Sequence, residues 1–387
     1  MRNIEINCGN TDSLAVYKYI KKIQPSDKYN WDRPESWLDF PNVVSSDQVF
    51  YALFPVTNTN YNTASISVQG AFIVDWGDGI VENFGAAGGL SYTATHNYSY
   101  WQIPSSTGTP FGYRQAIIKV TPQAGNNLTQ IGSISATSFL DIIACGPYLV
   151  VSEILNNRNL ESAKLLCRVS GNIQNNALKY IEFDENVASI KSELNQFLAN
   201  NEALQYVTPF NTSNLQYFSS MFSNCRSLIA FPELDLSLAT NISSMCQNCN
   251  AMVYFPPTVF DYSVTTINAF SPCNSLRSID IQGRVGSGNF LQNCQSLLIY
   301  PAVDLSESSN VTFARQIRAV KATGMRNSIS FSPNSIIGRS QLVELFYNLG
   351  TANPGAAVDL RNCPSALTLT PNEIAIATLK GFQVIVS

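Results

Sequence analysis

Charge is scarce in this chain. Of its 387 residues only 13% are Asp, Glu, Lys or Arg, the formal net charge is −4, and there is one histidine. So little positive charge supplies no Lys/Arg footprint for a phosphate backbone, which excludes nucleic acid as a partner. No run of 18 or more apolar residues occurs, so no segment is fit to cross a bilayer as a helix and membrane insertion is not expected. The opening stretch MRNIEINCGNTDSLAVYKYIKK has no uninterrupted apolar core followed by a small-residue cleavage site. The expectation is therefore a chain without a secretory leader, made in a cytoplasm. The P-loop, the dinucleotide glycine fingerprint, the zincin helix and the G-x-S-x-G elbow are also missing. His96 is the only histidine, and no serine or cysteine nucleophile motif accompanies it. The reading has no catalytic residue, no metal and no cofactor, and the chain is not expected to be an enzyme.

What is present is a large apolar fraction, 45%, which can bury an extensive core and leaves Ser, Asn, Gln and Thr to cover it. The length suggests more than one domain. The expected fold class is mainly β: a small antiparallel sandwich followed by a solenoid with short strands and short helical turns.

Residues 1–45 read as an arm. SLAVYKYIKKI (13–23) has helical spacing, and the proline-rich segment after it carries Trp31 and Trp37. Free linkers seldom hold two tryptophans, so this arm either docks to a partner or covers the neighbouring domain. Residues 46–122 change to short strands: QVFYALFPV, ASISVQ, AFIVDW and RQAIIKVTP are β-branched or aromatic runs bounded by turn residues. Between them FIVDWGDG (72–79) ends a strand in a turn, where Gly77 and Gly79 supply backbone conformations other residues resist and Asp75 and Asp78 can bond nearby amides. HNYSY, with His96 and Tyr98, follows.

From 123 to 387 the chain repeats. FLANNEALQYVT (197–208), MFSNCRSLIAFP (221–232), MCQNCNAMVYFP (245–256), AFSPCNSLRSID (269–280) and FLQNCQSLLIYP (290–301) succeed one another with periods of 24, 24, 24 and 21 residues. A fixed period in the twenties is the signature of stacked coils, each covering the apolar face of the next. Three columns follow from the register: Leu204, Leu228, Met252, Leu276 and Leu297; Val207, Phe231, Phe255, Ile279 and Tyr300; and Cys225, Cys249, Cys273 and Cys294, small side chains suited to burial. Weaker echoes at 126–134, 157–165 and 175–183 extend the stack towards residue 125. Leu342, Leu345, Phe346 and Leu349 predict an amphipathic helix ending at Gly350, followed by a strand, a short helix and a closing strand.

The cysteines invite a metal reading that the spacing does not sustain. Cys246-x-x-Cys249 has no second pair at zinc spacing. Cys246 instead takes the slot of Leu198, Phe222, Phe270 and Leu291, so two packing columns meet in one coil. Carboxylate pairs such as Glu233 with Asp235, or Asp304 with Glu307, do not point to a catalytic cleft, because Asp235 and Asp304 fall at equivalent turn positions and repetition points to turn capping. GRVGSG (283–288) reads as a tight turn in the shortened coil.

VDWGDG followed by THNYSY resembles the signature of PKD domains, immunoglobulin-like sandwiches. That resemblance implies a binding or spacer module whose turn comprises Asp75, Trp76, Gly77, Asp78, Gly79, His96 and Tyr98, with calcium on the aspartates as the weaker alternative to turn capping. The repeats, in the form MF-x-x-C-x-S-L-x-x-x-P, resemble BspA-like leucine-rich repeats of bacterial surface proteins and bacteriophage-encoded proteins. The two together resemble an arrangement found in phage virion proteins. What this implies is a non-enzymatic structural protein on the particle surface, tail- or fibre-associated, docked to other virion proteins through residues 1–45. It would form a homo-oligomer there and contact a host-surface protein or glycan. A capsid decoration or head-fibre protein and a BspA-like bacterial adhesin are the alternatives.

Overall fold

The computed structural model describes residues 31–386 except 60–61, 86–89, 135–137, 156, 158, 185–192 and 261–262. The helical candidate at 13–23 lies outside the described residues. The chain divides into two units, Met1–Asp32 and Arg33–Ser387.

The second unit is mainly β. It opens with β1 (Val49–Val56), β2 (Thr63–Gln69), β3 (Phe72–Asp75), β4 (Val81–Phe84), β5 (Ser91–Asn97) and β6 (Arg114–Pro122). All pairings among these six are antiparallel: β1 with β6, β6 with β3, β3 with β4, and β2 with β5. Every residue of β1 is buried, which explains why VFYALFPV does not alternate. Its inner face, Phe50, Ala52, Phe54 and Val56, joins the main core. Its outer face, Val49 and Tyr51, is covered by Phe40 and Val43.

Residues 33–45 are thus spent on this chain's own sheet. Arg33 donates to the buried Asp141 at 2.7 Å and lies 5.4 Å from the rings of Trp37 and Phe40. The Trp37 indole N–H donates to the Tyr113 hydroxyl at 3.1 Å, and Gln115 bridges the backbone of Ser36 and Leu38. Of the two fates open to the arm, covering the neighbour is the one that Trp37 takes.

No break separates the antiparallel strands from the coils. Strand β7 (Gln130–Ile134) pairs antiparallel with β2 and parallel with β8 (Asp141–Leu155). Residues Asp141–Cys145 of β8 pair antiparallel with β1 and parallel with β9 (Ser162–Val169). After an irregularity between Cys145 and Val150, the second part of β8 pairs with β7, β9 and β10 (Ile173–Gln174). Two layers of the antiparallel region therefore continue into the stack through one long strand. The sandwich expected over 46–122 shares its sheet and its core with the solenoid across residues 122–123.

The solenoid then runs for about nine turns. Strands β9, β11 (Tyr180–Phe183) and β12 (Tyr206–Val207) pair in parallel, and later coils add rungs such as Ala230 to Tyr254 and Ile299–Tyr300 to Ala319–Val320. The predicted columns are inside: Leu204, Leu228, Met252 and Leu276 have no exposed surface, and Leu128, Leu160, Leu178 and Ile317 extend that column both ways. An unbroken aromatic chain runs beside it, from Phe222 through Phe231, Phe255, Phe270, Phe290, Tyr300 and Phe313 to Phe331, with centroids 4.7 to 6.3 Å apart.

Short helical turns were expected in the coils; they occur as 3₁₀ helices at Gly288–Leu291 and Pro364–Thr368, but not in the coils around 194–249. The coils around 194–249 close through tandem turns that place Gln196, Asn200, Ser220, Asn224, Ser244 and Asn248 in the left-handed region, with φ between 54° and 64°. Asn tolerates that region better than most residues, which explains its recurrence before the cysteine. The turns present amides to the next coil in steps of two: Phe218, Ser220, Phe222 and Asn224 donate to Asn241, Ser243, Met245 and Gln247. A helix would have spent those amides internally.

The C-terminal end matches the expectation. Helix α1 (Arg339–Asn348) buries Leu342, Leu345 and Phe346, and a strand (Ala357–Asp359), helix α2 (Pro371–Thr378) and a closing strand (Gln383–Ile385) follow. Gly350 ends α1 for a different reason than a left-handed cap. A Cβ there would lie 2.7 Å from the Gly324 carbonyl oxygen, so the position needs a glycine for close approach.

Candidate functional site

The aspartate-glycine turn forms one connected cluster. Asp75 accepts the Gly77 amide at 3.0 Å and Asp78 accepts the Ile80 amide at 3.1 Å. The other Asp78 oxygen lies 2.8 Å from His96 Nε2, and a carboxylate partner assigns the N–H to that nitrogen. His96 stacks on Trp76 at 4.9 Å and meets the Tyr98 ring edge-on at 4.6 Å. The Tyr98 hydroxyl donates to the Trp76 carbonyl at 2.7 Å, and the Trp76 indole donates to Glu82 at 2.7 Å. Burial, with Asp78 and Asp75 adding to it, pushes the Tyr98 hydroxyl pKa far up, so it stays a donor. Gly77, at φ 79°, sits where a Cβ would collide with the Ile117 carbonyl, whereas Gly79, at φ 94°, faces open space. Asp75, Trp76, Asp78, His96 and Tyr98 each make a bond that holds the turn, and Asp78 spends both its oxygens on an amide and an imidazole. That is the chemistry of a locked corner.

The cysteine column does more than pack. Cys225, Cys249, Cys273 and Cys294 each donate a thiol hydrogen to a carbonyl of the preceding coil, on Leu198, Phe222, Cys246 and Phe270, at 3.0 to 3.1 Å. Burial holds Cys225, Cys249 and Cys273 well above the ordinary thiol pKa, which keeps the proton available. In the earlier coils the same slot holds Asn201 and Asn175. The Asn201 side-chain amide donates to Ile173 and Leu198 carbonyls at 2.7 and 2.6 Å, and its oxygen accepts the backbone N–H of Asn175 at 2.7 Å. One column of buried donors thus changes side chain along the stack, a role the cysteines alone do not reveal. The signal was present in the register, since Asn201 stands where the cysteine stands. Cys246 is buried in the apolar slot, with its thiol pKa raised by burial.

The carboxylates behave as turn caps. Asp235, Asp304 and Asp359 each accept the amide two residues on, from Ser237, Ser306 and Arg361, at 2.9 to 3.1 Å. Burial pushes the Asp304 carboxyl up, but the Ser306 bonds and Arg284 outweigh it and leave the group below its ordinary value. A general acid for glycoside cleavage needs the opposite shift. GRVGSG is not one turn: Gly283 lies inside a strand (Ile281–Arg284), and Gly288 opens a short 3₁₀ helix capped by Ser287.

An open cleft of about 690 Å³ lies beside this segment, lined by Gln282, Gly283, Arg284, Ala302, Asp304 and Thr323, with Phe260 and Ser263. The guanidinium of Arg284 is bound by Asp304 at 3.3 Å and by Glu307 at 3.1 Å, and Ser263 donates to Glu307 at 3.4 Å. GRVGSG and Asp304 drew notice in the sequence for other reasons, but nothing there joined them into a cleft, because its residues come from four successive coils.

No family model, curated protein or solved structure matches this chain. The site is therefore read from its own geometry. Three features make it up: a locked polar corner, a rigid stack whose face carries side-chain amides, and a polar cleft. The amides form half-buried to exposed ladders of their own, with Asn248 donating to Asn224, Asn224 to Asn200 and Asn274 to Asn250, at 2.8 to 3.0 Å.

Proposed function

We propose that the chain is a non-enzymatic structural protein of a bacteriophage particle, exposed on its tail or fibres, where it takes part in assembly and adheres to host surfaces. The observation that carries the adhesive part is the face of the solenoid. Its ladders of neutral amides are fixed by neighbouring coils, so they can bond a partner without first being ordered. The phage setting rests on the resemblance to PKD and BspA-like sequences, with the antiparallel strands of 46–122 as the PKD-like module. Since residues 33–45 cover the chain's own sheet, docking to other virion proteins falls to residues 1–32.

The test is composition of purified particles. Mass spectrometry of particles banded from a lysate of producing cells is expected to find this chain in a copy number well below that of the major capsid protein. A number comparable with the capsid protein would move it from the tail to capsid decoration. Absence from the particles would refute the proposal.

A further inference from the structure

We infer that the cleft over Gly283 is a binding subsite for a neutral, hydroxyl-rich chain, an oligosaccharide or a stretch of polysaccharide. The inference rests on the adhesive reading above and gives it a ligand class and an address. The cleft, at about 690 Å³, falls within the size range of ligand sites. Its lining crosses successive coils: Gly283 and Arg284 pair with Val303 and Asp304, and Asp304 bridges to Thr323. Rungs of a parallel stack recur every ~4.8 Å, so an extended molecule lying across them meets new polar groups at each step.

The groups have the chemistry that vicinal hydroxyls need. A sugar hydroxyl donates once and accepts up to twice, so it is held best where donors and acceptors stand side by side. Gln282 offers both through its amide, Thr323 offers both through its hydroxyl, Arg284 donates and Asp304 accepts, and all of these line one opening. The charged members are set in advance, Arg284 by Asp304 and Glu307, and Asp304 by the Ser306 amide at 2.9 Å. Two carboxylates against one guanidinium disfavour phosphate or an acidic sugar. The floor is small: Gly283, at φ 111°, has no room for a Cβ, which would lie 2.6 Å from the Phe260 carbonyl oxygen, and Ala302 is exposed beside it. Asp304 and Glu307 already share Arg284, which makes them positioning groups for a bound glycan.

The test uses the full chain and immobilised maltohexaose, cellohexaose and N-acetylchitohexaose, with a galacturonate hexamer as the acidic control, read by biolayer interferometry. Binding of at least one neutral probe, and none of the acidic one, is expected. Ala302→Trp, which fills the cleft, should abolish it. Gln282→Ala, an exposed truncation that leaves the fold intact, should weaken it about tenfold, the loss of one or two hydrogen bonds. No binding to any neutral probe, preference for the acidic one, or binding that both variants leave unchanged would overturn the inference. The two proposals fail separately: a chain absent from particles that still binds glycan in this cleft sinks only the first. A particle protein whose binding ignores both variants sinks only the second.

Discussion

Replacing Cys249 by alanine and by serine separates packing from hydrogen bonding in the cysteine column. Cys249 is fully buried, and its thiol donates to the Phe222 carbonyl at 3.1 Å. That carbonyl also accepts the Cys225 amide at 3.0 Å, so truncation leaves it with one partner rather than none. Alanine removes one sulfur atom, about 1 kcal/mol of transfer and cavity energy. It also removes one hydrogen bond, worth about 0.5–1 kcal/mol net. The expected loss for Cys249→Ala is therefore about 1.5–2 kcal/mol. If the column were packing alone, serine would be worse than alanine, because an unpaired buried hydroxyl costs roughly 1–3 kcal/mol. With an acceptor already aimed at it, the hydroxyl keeps a partner, and Cys249→Ser should cost only about 1 kcal/mol. The sign of the difference decides. Urea unfolding of the full chain, followed by tryptophan fluorescence and far-UV circular dichroism, gives midpoints that can be compared when the slopes agree. A serine variant that unfolds at lower urea than the alanine variant would refute the donor role.

Two further outcomes follow from the polar corner and from the segment 33–45 that covers the sheet. Gly77→Ala should destabilise by about 3 kcal/mol or more, combining left-handed strain with a clash against backbone, while Gly79→Ala, at similar φ in open space, should cost only about 1 kcal/mol. Equal midpoints for the two would contradict the geometry. Arg33→Ala should cost about 3 kcal/mol near neutral pH, because it strands a buried carboxylate. Burial raises the Asp141 pKa and Arg33 lowers it without cancelling the rise, so loss of Arg33 raises it further. A carboxyl with a raised folded-state pKa favours the fold below its unfolded value and loses that contribution as pH rises through the folded one. The deficit of Arg33→Ala should therefore shrink as pH falls from about 7 to about 4; a deficit independent of pH would show that Asp141 is not what the arginine serves.

The repeat was legible because stacking repeats a residue at each period. Leu204, Leu228 and Met252 are chemically alike and fall at one spacing, and burial follows from that. The strands of 46–122 were legible through β-branched and aromatic runs, and α1 through its apolar face. Other features depended on partners distant in sequence. Nothing local in DIIACGPYLVVSEIL says that its first residues pair with β1 and its last with β7, since both partners are set by the return of the chain. The aromatic chain used Phe313, which lies outside the aligned repeats, and Phe290, whose equivalents in the other coils are Phe197, Met221, Met245 and Ala269 and so do not form an aromatic column. The tandem turns escaped because Ser220 and Ser244 hold left-handed conformations that only the bonds from the next coil can stabilise. The cleft escaped because each of its coils supplies only a few residues.

The continuity through β8 bears on what the antiparallel strands are for. A solenoid leaves its first coil with one apolar face bare, and that face has to be covered. Here β1 covers the first part of β8 and β7, backed by β2, covers the second, so the strands of 46–122 close that end on both layers. The other end is closed by α1, α2 and the last strand, with Arg339 gripping Glu373 through both oxygens at 2.8 to 3.2 Å. A module that shares its sheet with the next cannot swing on a linker. The aspartate-glycine corner and the amide ladders of Arg33–Ser387 are therefore held on one frame with a shared core, at a fixed angle to each other.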